Sequence, residues 1–120
     1  MTEEEPAYLF AYGTLGPGHP LGDSAAGWCE DAVRGRLYDL GPYPALVDLD
    51  EPAAGRVEGY ARPVVGCELT ERLDPYEGVD EGLFRRVATT TRGGHRAWVY
   101  VYARRLPRNA WGPIKRWGRG

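Results

Sequence analysis

The chain has 120 residues, 42% of them hydrophobic and 27% charged, which suits one folded domain and excludes both a disordered chain and two independent cores. No apolar run nears the roughly 18 residues that span a bilayer. The net charge of −2 excludes a uniformly basic protein built to hold nucleic acid.

Charge is unevenly spread. All 17 acids lie at or before Glu81, and ten basic residues with no acid follow it. The expectation is that the basic half folds against the acidic half, so that their fields cancel. A stacking surface for nucleic acid built on Trp111 and Trp117 is the lesser reading. The opening Met1-Thr2-Glu3-Glu4-Glu5-Pro6 is acidic, not a basic-then-apolar leader, so a cytoplasmic setting without a membrane is expected. Cys29, Cys67, His19 and His95 stand apart, without the short spacing of metal ligands, so neither a metal nor another cofactor is expected.

Seventeen glycines and ten prolines cut the chain into short pieces. The aromatic-rich run Tyr8 to Tyr12 predicts a buried first strand ending at Gly13. Gly16-Pro17-Gly18-His19-Pro20 continues no strand, and a short helical turn is expected around Asp23 to Trp28. Val33 to Leu40 and Tyr43 to Leu49 read as strands around Gly41-Pro42, and Arg56 to Arg62 as another. Leu69 and Leu73 share a helical face within residues 67–73, and Pro75 predicts an end by Asp74.

Thr89-Thr90-Thr91 and Trp98 to Tyr102 predict a hairpin around a two-residue Gly93-Gly94 turn. That turn would set Thr91 opposite Arg96, Thr89 opposite Trp98 and Val87 opposite Tyr100. Phe84 would then share the Val99/Val101 face. The second strand is apolar on both sides, so it belongs inside a barrel or under a helix. From Leu106 the tail is expected to be irregular, ordered in part by its tryptophans. The sum is an α+β fold: a small mixed-strand β-barrel with one or two short flanking helices. We expect a single domain over 1–120, with a core at about 8–103 and a basic, tryptophan-containing tail at 104–120.

Two segments can carry chemistry. At Tyr12-Gly13-Thr14-Leu15 a buried strand breaks into a turn whose N–H groups lack strand partners and can hold an anion or oxyanion. It is no nucleotide loop, since no Gly-Lys-Ser/Thr follows. In Leu73-Asp74-Pro75-Tyr76-Glu77-Gly78 a carboxylate sits on a constrained turn among apolar neighbours, where desolvation raises its pKa towards that of a useful base.

Together with Tyr43-Pro44-Ala45-Leu46, Arg86-Val87 and Val99-Tyr100-Val101-Tyr102, these segments resemble the γ-glutamylcyclotransferase-like family in both content and order. The resemblance implies a pocket between the loop and the turn, with Tyr12, Gly13, Thr14 and Leu15 binding a small-molecule γ-glutamyl substrate and Glu77 as catalytic acid/base. The implied reaction releases 5-oxoproline and a free amine from a γ-glutamyl amine or related compound, with no cofactor. One departure stands out: Phe84 occupies a position where the family often has tyrosine. It motivates the alternative of a non-catalytic ligand- or partner-binding domain of the same fold.

Overall fold

Apolar residues on both sides of the first strand demand cover on both sides, and the computed structural model, which describes residues 6–13 and 27–117, supplies it. Strand β1 (Tyr8–Ala11) is the middle of a five-stranded mixed sheet. The others are β2 (Cys29–Arg34), β5 (Arg56–Pro63), β6 (Phe84–Thr90) and β7 (Arg96–Tyr102), in the order β2-β5-β1-β7-β6. β1 runs antiparallel to β5 and parallel to β7. A second sheet, β4-β3-β8, is built from β3 (Arg36–Asp39), β4 (Pro44–Val47) and β8 (Trp111–Ile114).

Leu9 and Ala11 pack with Leu69 and Leu73 of the helix over residues 66–76, and with Phe84 and Tyr100. Phe10 turns the other way and packs with Val57, Val99 and Val101, and with Leu37 and Leu46 of the second sheet. Two cores thus share one sheet. The fold is α+β as expected, but its sheets do not close into a barrel, because β2 and β6 remain edges. The gap is bridged at the hairpin tip, where the Arg92 N–H donates to the Ala32 carbonyl at 2.8 Å.

Several local expectations need correction. β2 went unpredicted because its first residues, Cys29-Glu30-Asp31, carry no apolar pattern. The expected strand Val33 to Leu40 is split at Gly35, where a side chain would meet Leu46 Cδ1 at 2.9 Å and Val47 O at 3.2 Å. Of the helical turn expected around Asp23 to Trp28, residues 23–26 lie outside the described residues, and Gly27 and Trp28 are not helical. The tail is not irregular throughout: β8 pairs with β3, Leu37 opposite Ile114 and Asp39 opposite Trp111.

The hairpin register is off by one. Its loop has three residues, with the Thr91 N–H donating to His95 O at 2.8 Å, the Gly94 N–H donating to Thr91 O at 3.0 Å, and Gly94 at φ +88°. This is a turn closed by a left-handed glycine rather than a two-residue turn. Thr90 therefore faces Arg96, Ala88 faces Trp98, and Phe84 faces Tyr102. A one-residue slip exchanges faces, so Phe84 joins the Leu9/Tyr100 core and not the Val99/Val101 side.

Helix α1 covers residues 66–76 in three abutting segments: Gly66–Glu68, a wide π turn at Leu69–Leu73, and Asp74–Tyr76. It passes through Pro75 because the Asp74 N–H bonds five residues back, to Leu69 O, so the widened ladder accommodates a residue with no N–H. Ion pairs join late basic residues to early acids, as the charge pattern suggests: Arg86 to Asp74 at 2.8 Å and Arg116 to Glu58 at 2.7 Å. Cys29 and Cys67 are both free and exposed. Among the described residues no helix is long and apolar enough to cross a membrane.

Candidate active site

The end of α1 is a capping motif with a chemical consequence. Leu69 and Leu73 anchor the helix in the core. Beyond them the Gly78 N–H donates to Pro75 O at 3.2 Å and the Val79 N–H to Asp74 O at 3.1 Å, with Gly78 left-handed at φ +69°. This is the paired bonding of a Schellman cap, which fixes the C-cap residue, Glu77. Its own N–H donates to Leu73 O at 3.0 Å.

So held, Glu77 lines a tight cleft with Ala11, Tyr12 and Gly13 at the end of β1. Tyr43, Pro44, Phe84 and Tyr100 complete the wall, and the volume open to a water molecule's centre is about 30 Å³. Gly13 is pressed on Pro44: a methyl there would sit 2.7 Å from Pro44 Cγ. Burial raises the Glu77 pKa to about 7. Among the described residues it has no ion-pair partner.

Asp74, three residues earlier, is treated in the opposite way. Arg86 grips it with two bonds, Nε to Oδ1 at 2.8 Å and Nη2 to Oδ2 at 3.1 Å, and the Tyr100 hydroxyl donates to Oδ1 at 2.6 Å. Arg86 also lies over the Trp98 ring at 4.5 Å. The guanidinium is thereby committed to Asp74. Burial pushes the Tyr100 phenol well above its ordinary value, and the hydrogen bond and charge of Asp74 add to that. The Tyr12 hydroxyl donates to the Tyr100 carbonyl. Its pKa is also pushed up, first by burial and then by the Glu77 charge, against a backbone hydrogen bond at Leu46.

Of the residues expected at the site, Glu77, Tyr12 and Gly13 come together in this cleft, while Thr14 and Leu15 lie outside the described residues. Sequence reasoning missed the wall formed by Tyr43, Pro44, Phe84 and Tyr100, and the Asp74–Arg86–Tyr100 network. A signal existed, since most of these residues lie in the ordered landmarks, but periodicity gave them no partners. Among the described residues no three His, Cys, Asp or Glu side chains gather as metal ligands.

The family model for "Gamma-glutamyl cyclotransferase, AIG2-like" matches residues 9–118. The chain belongs to the AIG2-like γ-glutamyl cyclotransferase family. That membership supports a γ-glutamyl cyclotransferase-type function in general terms. Comparison with curated proteins finds no match. Among solved structures, an AIG2-like protein from Mus musculus shares the fold of this family member with a TM-score of 0.73 and 20% identity, over 96% of this chain and 90% of that one. An uncharacterized protein from Pyrococcus horikoshii gives 0.66 and 24%, over 91% and 86%. YkqA from Bacillus subtilis gives 0.61 and 21%, over 81% of this chain but only 36% of its own.

Proposed function

We propose that this AIG2-like protein releases 5-oxoproline and a free amine from a γ-glutamyl amine or related γ-glutamyl compound, with Glu77 as general acid/base. The observation that carries this reading is a single carboxylate, tuned by burial to about 7, in a cleft beside the turn that begins at Tyr12.

The substrate brings its own nucleophile. Its α-amine attacks the γ-carbonyl carbon, forming the ring C–N bond, while the ionised Glu77 takes a proton from that nitrogen. Collapse of the tetrahedral species breaks the original amide C–N bond, and Glu77 returns the proton to the departing amine. A pKa near the working pH suits a group that must act both ways. Backbone N–H groups of the turn at Tyr12, Gly13, Thr14 and Leu15 would hold the glutamyl part and the developing oxyanion. Holding the chain folded supplies on the order of 7 kcal/mol in good intramolecular cases, and the carboxylate a further factor of roughly 10² to 10⁴.

A second reading, a binding domain without turnover, rests on Phe84, which brings no hydroxyl to the cleft wall. One experiment separates the two. Mass spectrometry of 5-oxoproline formed from a panel of γ-glutamyl amines and dipeptides is expected to find product with wild type and almost none with Glu77→Gln. Ligand binding with no product from the folded wild type would favour the second reading. Equal product from both proteins would sink the role of Glu77.

A further inference from the structure

A second space, far larger than the Glu77 cleft, is bounded by the described residues. It lies at the far end of the β2/β5 ladder, between residues 50–56 and the end of β6, and has a volume of about 460 Å³. None of the residues lining it lines the Glu77 cleft. Three arginines line this second space: Arg34 at the end of β2, Arg56 at the start of β5, and Arg92 in the β6–β7 turn.

Arg34 and Arg56 form a cross-strand pair, directly opposite each other on one face of the sheet. Like charges in that position destabilise a ladder. Among the described residues the lining holds one carboxylate, Asp50, whose two oxygens accept from the Thr89 hydroxyl at 2.8 and 3.1 Å. Arg56 has only a loose contact with Glu58, at 3.8 Å. With three arginines against one aspartate, the described residues of the lining carry a net charge of +2 in a chain whose net charge is −2.

One guanidinium is held in place and one arginine is anchored through its backbone. Arg34 Nη1 donates to the carbonyls of Pro52 at 3.1 Å and Ala54 at 3.0 Å. The Arg92 backbone is tied to Ala32 at 2.8 Å. At Gly55, a β-carbon would meet nothing within 4 Å, so the cleft has an open approach there. Places where a chain breaks a local rule are expected to be functional or strained sites.

We propose that this cleft binds a small anion carrying two or more negative charges, phosphate or carboxylate, bridged between Arg34, Arg56 and Arg92. Guanidinium groups suit such ligands because their fork matches paired oxygens. The ligand is small because the adjoining groove brings Glu30, Asp31 and Glu58 alongside Arg56, Arg92 and Arg116, so a long polyanion would run into carboxylates.

The test is calorimetric titration of the full chain with inorganic pyrophosphate, and separately with citrate, at low ionic strength. Expected is saturable binding weakened at least tenfold by Arg56→Gln and by Arg92→Ala, with Arg85→Gln, an exposed β6 position outside the cleft, leaving it unchanged. Tighter pyrophosphate would make the ligand a phosphate compound, and tighter citrate a polycarboxylate. A melting curve without anion adds an independent check: Arg56→Gln should melt no lower than wild type, since it relieves a like-charge pair. Absence of saturable binding by either probe, equal weakening by Arg85→Gln, or a lower melting temperature for anion-free Arg56→Gln would overturn the proposal.

Discussion

Asp31 and Glu77 are two carboxylates withdrawn from water whose pKa values move in opposite directions. Burial works to raise the pKa of Asp31, but hydrogen bonds from Thr91, His95, Gly93 and Ala32 outweigh it and hold the carboxyl below its ordinary value. Its side chain is only 2% exposed, with His95 Nδ1 at 3.0 Å and the Gly93 N–H at 2.8 Å. Glu77 is partly buried too, but among the described residues no such donors come to it, and burial takes it up to about 7. The partners of a buried carboxylate, not its depth, thus decide which way its pKa moves. Asp31 clasps the hairpin tip to β2. Glu77 is left short of partners in a cleft that its own helix cap aims it into.

The largest expected effect comes from removing the charge of Glu77. Glu77→Gln should lower 5-oxoproline formation by at least about 10²-fold, the usual scale of a general acid/base. The same change should stabilise the protein at pH 8. A raised pKa means that the stability Glu77 contributes is present below its unfolded value of about 4.5 and is lost as pH rises through about 7. Allowing for partial exposure, the gain is on the order of 1–3 kcal/mol, read by denaturant melts at pH 5 and pH 8.

Asp31→Ala should do the reverse. It leaves buried donors unpaired and should cost about 2–3 kcal/mol at pH 7, while the activity per folded molecule stays near wild type. Because the Asp31 pKa is depressed, its contribution is present above the ordinary carboxylate pKa of about 3.9 and disappears as pH falls through the lower folded value. The destabilisation caused by the variant should therefore shrink in strong acid.

Gly78→Ala strains the cap that aims Glu77, since Gly78 is left-handed and a methyl there would lie 3.3 Å from Leu83 Cβ. A loss of about 1–2 kcal/mol is expected in melts. The smallest effect sharpens the comparison. Asp74→Asn releases Arg86 from its ion pair and removes a negative charge near Glu77. The midpoint of the kcat/KM–pH profile should then fall below about 7, which a purely structural role for Asp74 would not cause.

Much of this architecture could be read from the sequence where local chemistry was strong. The aromatic first strand, the Leu69/Leu73 helix face and the Thr-rich hairpin all exist, because side-chain periodicity and turn residues act over a few positions. What failed depended on longer range. The Gly93-Gly94 signal fixed a turn but not its length, and one extra loop residue moved Phe84 into the cleft wall. β2 is a strand only because β5 pairs with it, and β8 only because β3 does. At the site, Glu77 was legible as a carboxylate on a constrained turn. The arginine that leaves it alone was not, since Arg86 and Asp74 meet through packing between β6 and α1.

The most direct test of this contrast is a carbon-13 NMR titration that follows the Glu77 and Asp31 side-chain carboxyls in the same sample, assigned with Glu77→Gln and Asp31→Asn. Expected are a Glu77 midpoint near 7 and an Asp31 midpoint below the ordinary aspartate value. A Glu77 carboxyl that titrates near 4.5, like a solvated glutamate, would contradict it.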